Sequence, residues 1–342
     1  MILYQFFKNY MRIALYFFYK NILVYGKENI PKNGAVLFVS NHKNALIDPL
    51  IITVNTKRKL YFLSRASAFK IKPIAWFLSN LNMIPIYRIR DGKNTISKNE
   101  IVFKKCYDIL NKNKSILIFP EGTHEIKRMV TPLKKGFARI VIGTLEKYPN
   151  LQLQILPIGL NYTDATLFGE STSIYYGKPI LANDFIDKNN PTISIENLVT
   201  VVNEKLKGLT TNIKSEVYDS VINQLGNIDY LNPKKVNAAV ENLSNYQSDK
   251  TIKKEQSLLW KGLKAIVSIN SFIPLLIYKQ FVSKIKEIEF VSTTKFGIGI
   301  TAFPLFYILQ SLVINHFFNL NFTIIYLLIS ILFVLILSKS KR

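Results

Sequence analysis

Two of the three histidines stand in short polar motifs that directly follow apolar runs of the chain. The first motif places His42 six residues before Asp48. A neutral imidazole can take a proton from a substrate hydroxyl, and a carboxylate on its other nitrogen fixes the tautomer and stabilises the imidazolium. These residue types predict a general base, His42, oriented by Asp48. The alternative is a structural histidine with a distant surface carboxylate.

The spacing of this pair restricts the local structure around it. Residues six apart on a regular helix lie about 240° apart around its axis, so their side chains cannot meet. A turn must therefore intervene. We expect His42 at the bend after a buried strand and Asp48 in the following helical turn, with Asn41 or Asn44 as the helix cap.

The second motif, Phe119–His124, reads Phe-Pro-Glu-Gly-Thr-His and also follows an apolar run. Such a turn exposes backbone N–H groups beside a small residue, and the Glu121 carboxylate can accept a hydrogen bond from a hydroxyl. We predict substrate contacts from Glu121, Gly122 and Thr123. The alternative is a type II turn in which Gly122 only supplies a positive φ.

Basic residues near these motifs indicate an anion site. The apolar run Ile84–Arg88 ends in an arginine, whose paired donors suit a phosphate group. Further candidate phosphate donors follow the second motif, namely Lys127, Arg128, Lys134, Lys135 and Arg139. A surface position for Arg88 and a solvated basic face for the others are the alternatives.

The elements around the motifs predict an α/β domain. Runs that are apolar throughout are typical of strands buried on both faces, and here they are Ala35–Ser40, Lys59–Leu63, Met83–Tyr87, Ser115–Phe119 and Leu153–Ile158. The segments 71–79, 98–110 and 135–145 have helical periodicity. Since sites in such domains gather at the carboxyl ends of the strands, we expect both motifs at that edge.

Taken in order, these segments resemble the glycerol-phosphate and lysophosphatidate acyltransferase family from Gly26 to about Asp184. The matching blocks are Asn41, His42 and Asp48; the strand Ile84–Arg88; the turn Phe119–Thr123; and the strand Leu156–Ile158. One extra residue separates the histidine from the aspartate, as in the branch of eukaryotic-type glycerol-3-phosphate and dihydroxyacetone-phosphate acyltransferases. His124 stands where the family has an arginine. The phosphate or donor contact that the family assigns to this arginine is lost unless Arg128 or Lys127 makes it.

The resemblance implies a single mixed sheet flanked by helices, and acyl transfer from acyl-CoA or acyl-ACP to a hydroxyl of glycerol 3-phosphate in membrane phospholipid synthesis. The alternative acceptors are 1-acylglycerol 3-phosphate and an aminolipid. The implied catalytic residues are His42 and Asp48; the implied substrate-binding residues are Arg88, Glu121, Gly122, Thr123 and Asn41; and the implied phosphate contacts are Lys127, Arg128, Lys135 and Arg139. It implies no bound cofactor, no metal and no covalent acyl-enzyme, with acyl carrier protein as a candidate partner.

Composition indicates a membrane protein. Lys and Arg number 45 against 22 Asp and Glu, a formal net charge of +23, which calls for anionic partners. Hydrophobic residues make up 49% and the mean hydropathy is +0.15, so membrane lipids are favoured over nucleic acid, for which no recognition motif is present. The single cysteine, Cys106, cannot form an intramolecular disulfide, which fits a cytosol-facing compartment, and it is expected in the core.

The N-terminal residues 1–25 are predicted to form an amphipathic helix in the membrane interface, with Lys8, Arg12 and Lys20 on its polar face. The alternative is a helix packed on the protein's own core. With charges interrupting the apolar residues and no small-residue cleavage site, the segment does not have the pattern of a signal peptide.

The rest of the chain divides into three further segments around the acyltransferase-like residues 26–187. Residues 188–256 are polar and are predicted to be a helical extension or linker, and residues 263–278 an interfacial stretch. Residues 296–314 and 320–337 predict a transmembrane hairpin whose lysine-rich flanks face the cytoplasm, a re-entrant pair being the alternative. The localisation expected is the cytoplasmic membrane with the catalytic domain facing the cytosol. A non-catalytic membrane tether is the rival to an enzyme.

Overall fold

The computed structural model describes residues 2–87, 95–246 and 258–340. Its strands are β1 (Asn21–Tyr25), β2 (Ala35–Ser40), β3 (Leu60–Arg65), β4 (Met83–Ile86), β5 (Ser115–Ile118), β6 (Leu153–Tyr162), β7 (Ser171–Tyr176) and β8 (Ile180–Leu181). Its helices are α1 (Ile2–Phe18), α2 (Ile47–Asn55), α3 (Lys72–Asn80), α4 (Thr95–Asn111), α5 (Gly136–Lys147), α6 (Pro191–Leu209), α7 (Tyr218–Leu225), α8 (Pro233–Glu241), α9 (Leu258–Asn270), α10 (Phe272–Val282), α11 (Glu289–Phe317) and α12 (Leu320–Lys339).

All eight strands belong to one sheet in the order β1-β7-β6-β2-β5-β3-β4, with β8 paired to β6. The β6–β7 and β6–β8 pairs are antiparallel and the other pairs are parallel, which confirms the predicted single mixed sheet. In the central strands, Val39 lies opposite Ile118 of β5 and Pro157 of β6. The chain therefore leaves β2 and β5 side by side, and both polar motifs begin at this carboxyl edge.

The N-terminal segment differs from the prediction of one helix over residues 1–25. Helix α1 ends at Phe18, and residues 21–25 form the edge strand β1, which pairs in parallel with β7. This strand alternates between exposed and half-buried residues and contains Ile22, Val24 and Tyr25, types that favour strands. The apolar aromatic run thus spans two elements, so the sheet begins before Gly26.

Helix α1 packs one face on the protein core, as the alternative interpretation had it. Lys8 lies on the buried face and its Nζ donates to the Thr56 carbonyl oxygen at 2.6 Å, while Arg12 donates to the Val54 carbonyl oxygen at 3.2 Å. These carbonyls lie at the C-terminal end of α2. Cations there bond to the unpaired carbonyl oxygens and interact favourably with the helix dipole. Lys8 and Arg12, which were predicted for the polar face of an interfacial helix, therefore fix α1 to the helix that carries Asp48.

The sheet is covered on both faces. Helices α1 and α2 contribute to one buried cluster, and α4, α5 and α6 to the other. Leu198, Val202 and Leu206 of α6 are fully buried, so residues 191–209 belong to the core and not to the extension or linker predicted for residues 188–256. Helices α7 and α8 form a small separate cluster.

Two C-terminal helices, α11 and α12, are long and apolar enough to cross a membrane, which supports membrane association. They contain the two predicted spans, and α11 begins earlier, at Glu289. The stretch predicted as interfacial is two helices, α9 and α10, bent by 89° at Ser271. At this break Gln310 donates to the Asn270 carbonyl oxygen at 3.1 Å, which satisfies an oxygen that the broken helix leaves unpaired.

Both ends of the hairpin contact the α/β domain. Near the start of α11, Phe296 is 1% exposed and packs edge-on against Phe18, with ring centroids 5.3 Å apart. At the end of α12, Lys339 Nζ donates to the carbonyl oxygens of Tyr16 and Tyr19, each at 2.7 Å. The two flanks of the hairpin therefore lie on the same side, beside the end of α1.

Candidate active site

Asp48 is fully buried and accepts hydrogen bonds from four groups. Its Oδ2 atom lies 2.7 Å from His42 Nδ1 and accepts the backbone N–H groups of Lys43 and Asn44, also at 2.7 Å. Its Oδ1 atom accepts the hydroxyl of Tyr162. Donors on both oxygens stabilise the carboxylate, and the position of Asp48 in the first turn of α2 adds the favourable end of the helix dipole.

The same geometry fixes the tautomer and the orientation of the His42 imidazole. Because Asp48 accepts at Nδ1, that nitrogen carries the proton and Nε2 has the free lone pair in the neutral ring. The His42 ring stacks on Phe119 at 3.9 Å and meets the ring of His124 edge-on at 4.2 Å. His42 is 12% exposed, so the base is held between aromatic rings yet remains open to a substrate. The turn expected between the pair is present, because His42 follows β2 and Asp48 lies in α2.

The second motif forms a tight turn beside this pair. Gly122 N–H donates to the Phe119 carbonyl oxygen at 3.2 Å, and Gly122 has φ +70°. Gly122 is therefore the last residue of the four-residue turn. A type II turn would need the positive φ at the third residue, Glu121, which does not have it, so that alternative is wrong in detail. The left-handed backbone is the reason for a glycine here.

Glu121 is a buried acid next to the base. It is 1% exposed, and burial raises the pKa of its carboxyl to about 7, although Lys43 nearby acts to lower it. Neither carboxyl oxygen has a well-aligned hydrogen-bond partner within the described residues, but the Thr131 hydroxyl and the His42 backbone N–H are close enough to lower the pKa slightly. Near neutral pH, Glu121 can therefore donate or accept a hydrogen bond beside His42.

Comparison with known proteins agrees with this geometry. The Acyltransferase family model matches residues 21–161, from the first residue of β1 to the last but one of β6. These residues form an acyltransferase-family domain. The matched range contains His42, Asp48, Glu121 and the strands that position them, and it begins at β1, which is where the structure also starts the sheet.

Individual relatives are similar to the acyltransferase domain over part of their length. A 1-acyl-sn-glycerol-3-phosphate acyltransferase of Brassica napus chloroplasts is 30% identical over 40% of this chain and 38% of its own. Glycerol-3-phosphate O-acyltransferase 1 of Saccharomyces cerevisiae is 22% identical over 56% of this chain and 37% of its own. The chain thus spans well under half the length of these relatives. The crystal structure of the PlsC 1-acyl-sn-glycerophosphate acyltransferase from Thermotoga maritima matches at a TM-score of 0.44 and 18% identity, covering 72% of this chain and 81% of that one.

Asn41, which was predicted to bind substrate, pairs with the backbone of β6 inside the acyltransferase domain. Its side chain is fully buried, its Nδ2 donates to the Leu160 carbonyl oxygen at 3.0 Å, and its Oδ1 accepts Leu160 N–H at 2.8 Å. The amide thus pairs with β6 as one more strand residue would. This pairing extends β2 up to the base and engages both polar atoms of the Asn41 side chain.

The predicted phosphate donors are dispersed. Arg88 lies outside the described residues. The guanidinium of Arg128 donates to the carbonyl oxygens of Tyr162 at 2.6 Å and Thr163 at 2.7 Å and stacks on the Tyr230 ring, so Arg128 links structural elements. The remaining predicted donors, Lys127, Lys135 and Arg139, are exposed, as is Lys134, whose side chain lies over Gly122.

Two site residues of the acyltransferase domain were missed by the sequence analysis. Tyr162, at the end of β6, reaches Asp48, and Lys43 is buried with its Nζ donating to the Lys127 and Met129 carbonyl oxygens, each at 2.7 Å. Lys43 follows His42 directly, yet its burial could not be read from the motif. Tyr162 follows the fourth family block, and its place at a strand end was the available signal.

Substituting Tyr162 with phenylalanine should lower turnover of the acyltransferase domain about tenfold, because a hydrogen bond to a charged group is worth roughly 1.5–3 kcal/mol. Asp48 would keep its three N–H donors but lose its contact at Oδ1. The measurement is kcat of the purified variant. Tyr176→Phe is the control, because that buried hydroxyl has no hydrogen-bond partner within the described ranges, and equal rates for the two variants would contradict the assigned role.

Glu121→Gln should change how the stability of the acyltransferase domain depends on pH. With an ordinary pKa of 4.5 in the unfolded chain and about 7 in the fold, Glu121 stabilises the protein below about pH 4.5 and loses this contribution as pH rises through 7. The variant should therefore gain up to about 3 kcal/mol relative to the wild type at pH 8, and show no such gain at pH 4.5. Thermal unfolding in detergent across this range tests it. The exposed Glu146→Gln should follow the wild type, and a parallel wild-type and Glu121→Gln profile would contradict the shift.

Proposed function

We propose that this chain transfers a fatty acyl group from an acyl thioester to a hydroxyl of glycerol 3-phosphate in membrane phospholipid synthesis. The contact between His42 Nδ1 and Asp48 at 2.7 Å, which leaves Nε2 as the acceptor of a substrate proton, carries the proposal. The family match of residues 21–161 and the activities named for the relatives support it.

In the proposed reaction, Nε2 of His42 removes the proton of the acceptor hydroxyl as the oxygen attacks the thioester carbonyl carbon. Asp48 stabilises the imidazolium that forms. The C–S bond of the tetrahedral intermediate then breaks, the thiolate leaves, and the imidazolium returns the proton to the sulfur. The acyl group passes directly from sulfur to the acceptor oxygen, so no acyl-enzyme is required.

Glycerol 3-phosphate is proposed as the acceptor on the spacing between His42 and Asp48 and on the activity named for the yeast relative. The alternative acceptor, 1-acylglycerol 3-phosphate, is favoured by the name of the Brassica relative, and an aminolipid is a further alternative within the class. His124 replaces the arginine that the resemblance predicts, so the phosphate would meet Arg88 or exposed lysines such as Lys134 and Lys135.

We also propose a membrane localisation and orientation for the protein. The base of the hairpin lies beside the acyltransferase domain and carries Lys295 and Lys339, which the positive-inside rule assigns to the cytoplasm. We place the catalytic domain on the cytosolic face of the cytoplasmic membrane, with acyl-CoA or acyl-ACP as donor and no bound cofactor. Among the described residues no cluster of three or more His, Cys, Asp or Glu side chains could hold a metal ion.

Acceptor competition tests this proposal. Purified protein in anionic vesicles would receive labelled acyl thioester with equimolar glycerol 3-phosphate, 1-acylglycerol 3-phosphate and an aminolipid, followed by separation of the lipid products. We expect 1-acylglycerol 3-phosphate to be the first labelled product. Robust acylation of the monoacylated acceptor with none of glycerol 3-phosphate would overturn the choice of acceptor, and labelled aminolipid alone would overturn the phosphate requirement.

A further inference from the structure

The first turns of the membrane helix α11 reach the catalytic loop. Thr293 of α11 contacts two residues between the base and its aspartate. Its hydroxyl oxygen accepts the backbone N–H of Leu46 at 3.1 Å and its hydroxyl donates to Asn44 Oδ1, also at 3.1 Å. The hydroxyl thus acts as both acceptor and donor on the loop that carries His42 and Asp48.

Helix α2 has no local substitute for this contact. Its N-cap residue is Leu46, whose side chain cannot accept a hydrogen bond, so the usual Ser, Thr, Asp or Asn cap is missing from the sequence there. Asn44 in turn donates its backbone N–H to Asp48 Oδ2 at 2.7 Å and its Nδ2 to the Ala165 carbonyl oxygen at 2.8 Å. A path of direct hydrogen bonds therefore runs from Thr293 through Asn44 to Asp48 and His42.

Helix α11 is itself held firmly at this point. Phe296 is buried in the core cluster under the sheet, and Lys295 Nζ donates to the Thr166 carbonyl oxygen at 3.0 Å. The Tyr10 hydroxyl of α1 donates to the Ile300 carbonyl oxygen. Phe290 meets His124 edge-on at 5.4 Å, and His124 contacts the base. These contacts fix α11 to the domain on both sides of Thr293.

We propose that Thr293 is a positioning residue for the acyl-transfer reaction, through which the membrane hairpin sets the geometry of the His42–Asp48 pair. The inference rests on the proposed function. Precise placement of a catalytic group is worth large factors in rate, and a shift of about 1 Å can cost about 10²-fold. Since Thr293 acts two hydrogen bonds away from Asp48, its loss should affect the chemical step more than the binding of either substrate.

The test compares Thr293→Val with Thr293→Ser and with Thr301→Val. The Thr301 hydroxyl donates to the Gly297 carbonyl oxygen of its own helix at 2.7 Å. Thr293→Val should lower kcat about tenfold, with KM for the thioester and for the acceptor changed less than twofold. Thr293→Ser, which keeps the hydroxyl, should recover most of the loss, and Thr301→Val should match the wild type.

A double variant tests whether Thr293 acts through Asn44. Adding Thr293→Val to Asn44→Ala should cost little more than Asn44→Ala alone, because both act on one path. Full additivity of the two losses, normal kcat in Thr293→Val, or no recovery by serine would overturn the positioning role. A wild-type protein without acyl transfer would instead contradict the proposed function.

Discussion

Substituting His42 with alanine is expected to reduce kcat for acyl transfer by about 10²–10⁴-fold, the usual contribution of a positioned general base. The neutral imidazole offers Nε2 to the acceptor hydroxyl because Asp48 holds Nδ1 at 2.7 Å. Alanine removes this proton acceptor while leaving the buried carboxylate with its two backbone donors and the Tyr162 hydroxyl. The measurement is kcat with saturating thioester and acceptor in vesicles.

The matched control for this substitution is His316→Ala. That histidine is exposed in the last turn of α11, away from the α/β domain, and its loss should leave kcat unchanged. Both variants should unfold within a few degrees of the wild type. Near-normal turnover of a folded His42→Ala protein would show that another group removes the proton.

Asp48→Asn is expected to cost about 10²–10⁴-fold in kcat as well, because the amide carries no charge to stabilise the imidazolium. The amide oxygen can take the place of Oδ2, which accepts three N–H donors, so the fold of the loop should persist. The amide nitrogen then faces the Tyr162 hydroxyl, which must rotate to accept. The loss should therefore appear in kcat more than in either KM.

For this variant the control is Asp219→Asn, an exposed carboxylate in the first turn of α7. It should behave as the wild type in turnover. A loss confined to KM in Asp48→Asn, with kcat retained, would mean that Asp48 organises substrate binding and does not assist the base.

Much of the central fold could be predicted because the strands β2, β5 and β6 are buried on both faces. Each of the five apolar runs became a strand, and β2 spans Ala35–Ser40 as predicted. The strands that were missed, β1, β7 and β8, lie at or near the edge of the sheet. The run Ser171–Tyr176 begins with three hydroxyl residues, whose burial depends on pairing with β1 and β6 and leaves no apolar signal in the sequence.

The pair His42 and Asp48 could be predicted from residue chemistry, and the structure brings the two side chains together. The partners of the pair could not. Tyr162 bonds to Asp48, which lies 114 positions away in the sequence, and Thr293 bonds to Leu46, which lies 247 positions away. Their contribution therefore depends on the tertiary arrangement. Basic residues were the least predictable, because a long side chain such as that of Arg128 can bond backbone carbonyls as readily as a phosphate.

The central claim is direct acyl transfer from a thioester to the acceptor hydroxyl, and the ratio of acylated product to released thiol tests it most directly. Wild-type protein in vesicles would receive labelled acyl-CoA with and without glycerol 3-phosphate. We predict one acylated glycerol phosphate per thiol released, and thiol release that depends on the acceptor. Thiol release without acceptor, with the label recovered as free fatty acid, would identify a thioester hydrolase and contradict the account.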